Sequence, residues 1–476
     1  MTTGIITTQL PPPPPRLLRV LQAIADHGGR GLIVGGWVRD GLLGLPARDM
    51  DVEVFGLGLE SLRPLLARFG TVVAVGRSFA VLKIKGLDAD FSLPRASSLG
   101  SSVRGDLRSG ADPGLDATSA ARRRDLTINS MAFDPLQAAL LDPLDGLSDL
   151  RAGRLRPADP TLFGEDPVRG LRVAELLARY GQRFDLKVDP ELLRICMRLD
   201  LSDCAAERLY ESFKKLLLRG DRPSLGLAFL RQSTLLRFFP ELAALVEVPQ
   251  SPYWHPEGCV WTHTLMVTDA AAGLRRGDED DPALMFGALC HDLGKPETTV
   301  EHDGRIRSPR HEQAGIAPTT RFLAQLSAPG RLLKQVCALV EHHLKPVQFP
   351  AAHARAGAYR RLARQLAAAE VSIELLARVA RADQLGRTTS NARQGLVPEV
   401  DAFLQQAAAL EVTQSARPDV VQGRHLLARG IEPGPRMGEL LARCRELQDE
   451  IGETRPEPII DRLFDQLDPL PPTGSA

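Results

Sequence analysis

Residues 35–51 read GGWVRDGLLGLPARDMD, and no other stretch restricts the possible architectures as much. The apolar run GLIV (31–34) enters two adjacent glycines, and two aspartates spaced i, i+2 close the stretch. Strand side chains alternate between faces, so Asp49 and Asp51 are expected to point the same way from one strand. Two carboxylates on one face make a hard-cation site of the kind that holds Mg²⁺ against nucleotide phosphates. Gly35 and Gly36 let backbone N–H groups approach an anion closely. Arg39 adds a fork-shaped donor suited to a triphosphate. The pattern demands a strand, a tight turn, a helix and a second strand. The aspartate pair alone would also fit a solvated strand end; the whole string carries the inference.

The rest of the chain limits the alternatives. At 476 residues, about three domains are expected. The 59 basic residues balance 59 acidic ones, so any RNA-binding surface has to be a local patch. No apolar run is long enough for a membrane span. The six cysteines are scattered without a CxxC, which points to a reduced, cytoplasmic protein. The start, MTTGIITTQLPPPPP, lacks the features of a secretory signal and reads as a flexible lead ending in a polyproline stub. Residues 16 to 155 mix strand-like runs (LIVGG, DVEVFGL, TVVAVG, AVLKIKG, DADFSL) with helical patterns, which predicts a small α/β unit with a mixed sheet. Residues 98–120 read as a mobile loop. Beyond 156 strand signals vanish, and Leu and Ala recur at helical spacing.

Three further blocks bear on the first site. Asp90, in GLDADFSLPR, supplies a third carboxylate if its strand lies beside that of Asp49 and Asp51; Asp88 shares its face, and the choice between them stays open. In RRRDLTINSMAFDP (122–135), Arg123 and Arg124 are suited to grip phosphates and Asn129 to bond a sugar hydroxyl. In GEDPVRGLRVAELLARYG (164–181), Asp166 and Arg169 stand at i, i+3 on one helix face. They offer an acceptor and a bidentate donor able to read a base edge, or an intrahelical salt bridge.

Together these blocks resemble the class II tRNA nucleotidyltransferase and poly(A) polymerase family. GGWVRDGLLGLPARDMD is similar to its GG…DxD signature, RRDLTINSMA (123–132) to its RRDFTINAMA block, EDPVRGLR (165–172) to its EDxxR motif and ERLYESFKKLL (207–217) to its ER..E..K helix. The resemblance runs in order over residues 16–245, with a third arginine at 122 as its one departure. It implies that Asp49 and Asp51 hold catalytic Mg²⁺, with Asp90 where the family often has a strand carboxylate. Asp166 and Arg169 would select the incoming CTP or ATP, and Glu165 would orient the arginine. Arg172 and the Arg123–Arg124–Asp125 block would contact the nucleotide's phosphates and sugar, in a site shared with Gly35, Gly36, Arg39 and Asn129. The product would be CCA added to tRNA 3′ ends, the protein itself acting as template.

A second site is signalled by histidines. Of ten in the chain, eight lie between 255 and 353. His263 in HTLMVT, His291–Asp292 in CHDLGK and Asp383 in ARADQLGR supply imidazole and carboxylate ligands from separate helices. Mixed N/O ligation suits Mn, Fe, Co, Ni or Mg better than structural zinc. These strings resemble the HD superfamily of metal-dependent phosphohydrolases. The resemblance makes His263, His291, Asp292 and Asp383 metal ligands, and gives His311 and His343 a second metal or the phosphate, with His342 as the alternative to His343. PYWHPEGCVWTHTLMV is similar to the HD region of bacterial bifunctional CCA enzymes, which implies 2′,3′-cyclic phosphodiesterase, 2′-nucleotidase and phosphatase activity. GRHLLARGIEPGPRMGELLARCRELQ (423–448) resembles their closing segment, with His425 where an acid is usual. Arg355, Arg360, Arg361 and Arg364 form a basic cluster suited to an RNA backbone or to a solvated helix face.

The expected fold is α+β: an N-terminal nucleotidyltransferase head with a mixed β-sheet, then an all-α neck, HD body and tail. The boundaries read as a lead at 1–15, head 16–155, neck 156–248, HD domain 249–400 and tail 401–476. tRNA, ATP and CTP are the expected partners, without a membrane. A poly(A) polymerase, a CC-only or A-only adding enzyme, and an HD phosphohydrolase with an RNA-binding head are the rival readings.

Overall fold

Helix α1 (Pro15–Asp26) starts on a proline, whose fixed φ suits a first helical turn. Leu17, Val20, Leu21 and Ile24 recur at helical spacing and are fully buried. They meet β1 (Arg30–Val34), where Gly31 leaves no room for a Cβ beside Leu21. A computed structural model of the chain describes residues 10–46, 49–75, 81–95 and 112–466. The chain divides into two compact units, 1–238 and 239–476.

In the first unit, β1 is followed by α2 (Gly36–Leu42), β2 (Met50–Phe55), α3 (Leu59–Ala67), β3 (Val72–Val75), β4 (Val81–Ile84) and β5 (Ala89–Ser92). Strands β6 (Ala132–Asp134) and β7 (Ala139–Leu141) complete a seven-stranded sheet of order β3-β4-β5-β2-β1-β6-β7. The β2–β5 pair is parallel and its neighbours are antiparallel, so the sheet is mixed as expected. Val52 and Val54 are buried, while Asp51 and Glu53 fall on the opposite face of β2. Helices α4 (Arg169–Phe184), α5 (Ala206–Arg219) and α6 (Pro223–Gln232) follow and pack on one another.

The second unit is built around α7 (Val260–Gly273), α8 (Asp281–Cys290), α9 (His311–Ala314), α10 (Gly330–His342) and α11 (Ile373–Leu385). Helices α7, α8 and α11 pack mutually, with α10 against α8. Among the described residues, no helix is long and apolar enough to cross a membrane.

Several expectations are corrected. Strand β2 begins at Met50, so Asp49 lies outside it, with φ 56°; aspartate tolerates this left-handed conformation, which starts the strand one residue late. The loop read at 98–120 lies outside the described residues up to 111, and its end forms a helix, Ala117–Arg122, because Asp116 caps the amides of Thr118 and Ser119. Strands also persist after 156. Lys187–Val188 pairs with Arg154–Leu155, and Val300–His302 forms a hairpin with Arg305–Arg307 through Asp303 (φ 52°) and Gly304 (φ 68°), the two positive φ values that such a turn requires.

Candidate functional site

The register of the sheet assembles the first site. Asp51 on β2 stands opposite Asp90 on β5, and Lys83 on β4 opposite Asp90 in turn, its ammonium 2.8 Å from that carboxylate. Asp88 lies before β5 and has no place in this row. Lost hydration pushes the Asp51 carboxyl above its ordinary value; Asp90 and Asp49 push the same way, against Arg124 and Lys83. A divalent cation would relieve this repulsion, but Asp49, Asp51 and Asp90 do not close to within 4.8 Å of one another as the ligands of the histidine clusters do.

Gly35, with φ 73°, turns the chain from β1 into α2. A Cβ there would stand in ordinary contact with Arg124 Nη1, at 3.4 Å, so the turn and this guanidinium lie side by side. Arg124 also pairs with Glu53 at 3.1 Å, and Arg123 lies 4.0 Å from Glu165. Arg39 departs from its expected role as an open fork. It is buried, bonded to Asp40 (2.7 and 2.9 Å), Asn129 (2.5 Å) and Tyr180 (3.1 Å), because Asp40 and Asn129 neutralise and satisfy it inside the unit. With Asp125, Asn129, Arg172, Glu175 and Lys215 it lines a cleft of about 240 Å³. Burial pushes the Asp125 carboxyl up, but Arg172, the Asn129 amide and the Leu126 N–H outweigh it and hold it below the ordinary range.

Asp166 and Arg169 do not share a helix face. Asp166 is extended (φ −125°, ψ 96°) just outside α4, because the helix begins only at Arg169. Both Asp166 oxygens accept from Arg208 on α5, at 2.9 and 2.7 Å. The Arg169 guanidinium is buried and donates to the carbonyls of Leu162 (2.8 Å) and Arg123 (2.6 Å).

The second site brings six of the sequence-predicted residues together. His263 lies on α7, His291 and Asp292 follow α8, His311 begins α9, His343 follows α10 and Asp383 lies on α11; all six are buried. His263 Nε2 is 3.0 Å from Asp383 Oδ1. Asp292 faces both ways, with Oδ2 3.2 Å from His291 and 3.9 Å from His263, and Oδ1 3.3 Å from His311. His311 and His343 meet Nε2 to Nε2 at 3.3 Å. His342 stands outside this constellation, and its Nδ1 has no hydrogen-bond partner.

Backbone carbonyls decide which nitrogen faces inward. Nδ1 of His291, His311 and His343 donates to Ala288, Ser308 and Val340, leaving each Nε2 lone pair directed into the cluster. Buried His291 Nε2 and Asp292 Oδ2 have no aligned hydrogen bond. The Nε2 lone pairs and Asp292 converge, with the Lys295 ammonium 2.7 Å from Asp292 Oδ2, and this set of N and O donors fits a cation. Burial pushes His343 down to about 3, with His311 and His291 adding to it, which keeps that ring neutral for ligation.

The comparisons bear on both units. The profile of the Poly A polymerase head domain matches residues 32–156, and that of the HD domain matches 260–387. A Multifunctional CCA protein of Xanthomonas campestris pv. campestris is 32% identical over 428 residues, covering 87% of this chain and 96% of the relative. The chain belongs to the multifunctional CCA protein family. A Xylella fastidiosa relative of the same name is 36% identical over 63% of this chain and 70% of its own length. The fold is also that of a CCA-adding enzyme in complex with CTP (TM-score 0.61, 19% identity, 96% of each chain) and of the Thermotoga maritima CCA-adding enzyme complexed with tRNA (0.55, 18%, 96% of each).

Several residues escaped sequence reasoning. Glu257 Oε1 lies 2.8 Å from His263 Nδ1 and 2.9 Å from His255 Nδ1. Lys295 is buried, 2.7 Å from Asp292 and 2.5 Å from Gln250. Arg387 pairs with Asp383 at 3.0 Å. Lys83, Glu53 and Arg208 join the first site. Lys295 stands in the CHDLGK string and Arg208 in the ERLYESFKKLL string, so each had a signal. The basic cluster is partly internal: Arg364 pairs with Asp449 and Asp419, and Arg360 donates to the Asp449 carbonyl. His425 accepts from the Gln422 amide and acts as part of a helix cap.

Proposed function

We propose that the protein adds C, C and A to tRNA 3′ ends from CTP and ATP, releasing pyrophosphate, and that its second unit is a metal-dependent phosphohydrolase. The observation that carries the first part is the register that pairs Asp51 with Asp90 beside the Gly35 turn and Arg124. The Multifunctional CCA relatives support it. Mg²⁺ held by Asp49, Asp51 and Asp90 would activate the attacking hydroxyl and neutralise the leaving pyrophosphate. Arg123, Arg124 and Arg172 bind and orient the nucleotide's phosphates and sugar, with Asp125 fixing Arg172 and Glu165 beside Arg123. Asp166 and Arg169 select the base. Cytosine N4 and adenine N6 are both amino donors that a carboxylate accepts, while the corresponding groups of uracil and guanine are carbonyls. Arg208 pairs with Asp166 at 2.7 Å, so an incoming base would have to displace it.

In the second unit, His263, His291, Asp292 and Asp383 hold one cation, and His311 and His343 with Asp292 hold another or the phosphate. The N/O donor set suits Ni, Mn or Co, or Mg. A cation there would supply Lewis-acid activation of a phosphate ester. Lys295 holds Asp292 in place, and Arg387 does the same for Asp383.

The test offers tRNA lacking its CCA end with CTP and ATP singly and together. CTP alone should extend it by CC, and both nucleotides together should complete CCA. An A-only product or an open-ended A tail would overturn the reading. For the second unit, Asp292→Ala protein should lose metal-dependent phosphatase activity; equal activity in parent and variant would remove that part.

A further inference from the structure

Asn129 reads from the sequence as a partner for a sugar hydroxyl, but in the fold both ends of its amide are taken. Its Oδ1 accepts from Arg39 Nη1 at 2.5 Å, and its Nδ2 donates to Asp125 Oδ1 at 3.0 Å. An arginine offers only donors and a carboxylate only acceptors, so no other orientation of the amide serves both. Asn129 is therefore a link between two groups. On one side lies Asp125, whose Oδ1 also accepts from the Leu126 N–H at 2.8 Å. Asp125 Oδ2 stands 3.6 Å from Arg172, beyond hydrogen-bond length, and so keeps a lone pair for a hydroxyl in the cleft that both residues line.

On the other side of Asn129 lies Arg39, and behind it Tyr180. Tyr180 stands about 12 Å beyond Arg172 along the axis of α4. It is buried; its hydroxyl donates to Asp40 Oδ1 at 2.8 Å and accepts from Arg39 Nη2 at 3.1 Å. Its ring lies against two guanidinium groups, with Arg39 5.0 Å and Arg179 4.7 Å from the centroid. Asp40 binds Nε and Nη2 of Arg39 through Oδ1, and Arg179 through Oδ2 at 3.2 Å. Lost hydration pushes the Tyr180 hydroxyl up to about 12, so it keeps the proton that it donates. A guanidinium is a rigid plane. With Nε and Nη2 fixed by Asp40 and Tyr180, Nη1 has one direction left, toward Asn129.

We propose that Tyr180 is a positioning residue for sugar recognition. With Asp40 it fixes the plane of Arg39, Arg39 fixes the Asn129 amide, and that amide holds Asp125 with Oδ2 aimed at a ribose 2′-hydroxyl. The inference rests on the nucleotide-addition reading for the place of Asp125 beside the sugar. A deoxyribonucleotide would leave the aimed carboxylate oxygen without its partner, and this is what turns orientation into selectivity.

CTP and dCTP are compared on the full chain in two ways: binding by calorimetry without tRNA, and addition to tRNA lacking its CCA end. The parent should favour CTP in both. Tyr180→Phe removes the hydroxyl and keeps the ring. It should weaken CTP binding and raise KM for CTP about fivefold, as loss of one buried hydrogen bond does, while kcat for CTP and all constants for dCTP stay at the parental values. Asn129→Ala cuts the same relay one link later and should act alike, with Asn129→Ser in its place if thermal unfolding shows that the alanine protein does not fold. The double variant should be no worse than the worse single one, because both changes break one chain. Loosened packing would lower CTP and dCTP together. Equal losses on the two nucleotides, a parental CTP/dCTP ratio in Tyr180→Phe, or losses that multiply in the double variant would overturn the relay. So would a parent that binds or adds both nucleotides alike. A parent that prefers CTP in binding yet adds neither nucleotide would leave the relay standing and overturn the nucleotide-addition reading, and one that binds neither would overturn both.

Discussion

Glu257 is the clearest case of one side chain acting through another. Its carboxylate touches Nδ1 of His263, whose Nε2 points at Asp383 and Asp292. A carboxylate on the outer nitrogen fixes the ring's orientation and raises its basicity toward a cation. Glu257→Ala is therefore expected to weaken metal binding about tenfold, with Glu257→Gln recovering part of the loss because the amide oxygen still accepts. Competition with a chromophoric chelator measures this without any turnover, and parent-like affinity in the alanine variant would remove Glu257 from the site. In the first unit, Asp125 makes the corresponding prediction on pH. Its folded pKa is depressed despite burial, so its contribution is present above the unfolded value of about 3.9 and is lost as pH falls through the folded value. Asp125→Asn should cost about 2 kcal/mol at neutral pH. The gap to the parent should narrow as pH falls below about 3.9 and close only below the folded value, where Asp125 is protonated in both states. Urea denaturation at pH 7 and near pH 3.5 checks the sign; a gap that widens in acid would contradict it.

At the scale of elements, closeness of backbone decides where ligands stand. Gly294 sits between His291–Asp292 and α9, and a Cβ there would fall 2.1 Å from the His311 carbonyl and 2.5 Å from the Gly315 nitrogen. Backbone cannot yield cheaply, so Gly294→Ala should destabilise by about 2 kcal/mol and push His311 off Asp292. Thermal unfolding and metal titration together test this, with Gly330→Ala, whose Cβ meets nothing within 4 Å, as the neutral comparison. The chain's own pattern made much of this level readable. The GLIV run, its glycine punctuation and the two flanking aspartates identify β1, α2 and β2, because burial and turn chemistry act on neighbouring residues. Crowded histidines were equally legible, being rare elsewhere in the chain. What escaped depends on contacts between distant residues. Asp49 leaves the strand, Asp166 stands off the helix to meet Arg208, and Arg39 turns inward because Asp40 and Asn129 meet it there. The hairpin at 300–307 did carry an Asp-Gly turn signal, but its strands are three residues long and mostly exposed, so no apolar alternation announced them. Glu257 lies in a Pro- and Gly-rich stretch where an acid reads as solvated.

Across the whole molecule, each ligand set is drawn from a single compact unit. Asp49, Asp51, Asp90, Asp166 and Arg169 all fall within 1–238, and His263, His291, Asp292, His311, His343 and Asp383 within 239–476. Formal charge sums to zero, so a nucleic acid would have to be met by local cations such as Arg123 and Arg124. Two complete sites in separate units predict two separable chemistries. Asp51→Asn removes a carboxylate from the row with Asp90 and should lower nucleotide addition about a thousandfold, the equivalent of several kcal/mol of lost charge stabilisation. It should leave phosphate-ester hydrolysis at the parental rate. Asp292→Ala should do the reverse. Stripping divalent ions should silence both, and Mg²⁺ alone should restore addition, while hydrolysis answers to a transition metal if the imidazole-rich donor set governs its choice. Rates of both reactions on the same preparations decide the matter. If Asp292→Ala slowed nucleotide addition as much as hydrolysis, the two centres would not be independent, and the division of ligands between the units would no longer explain the division of labour.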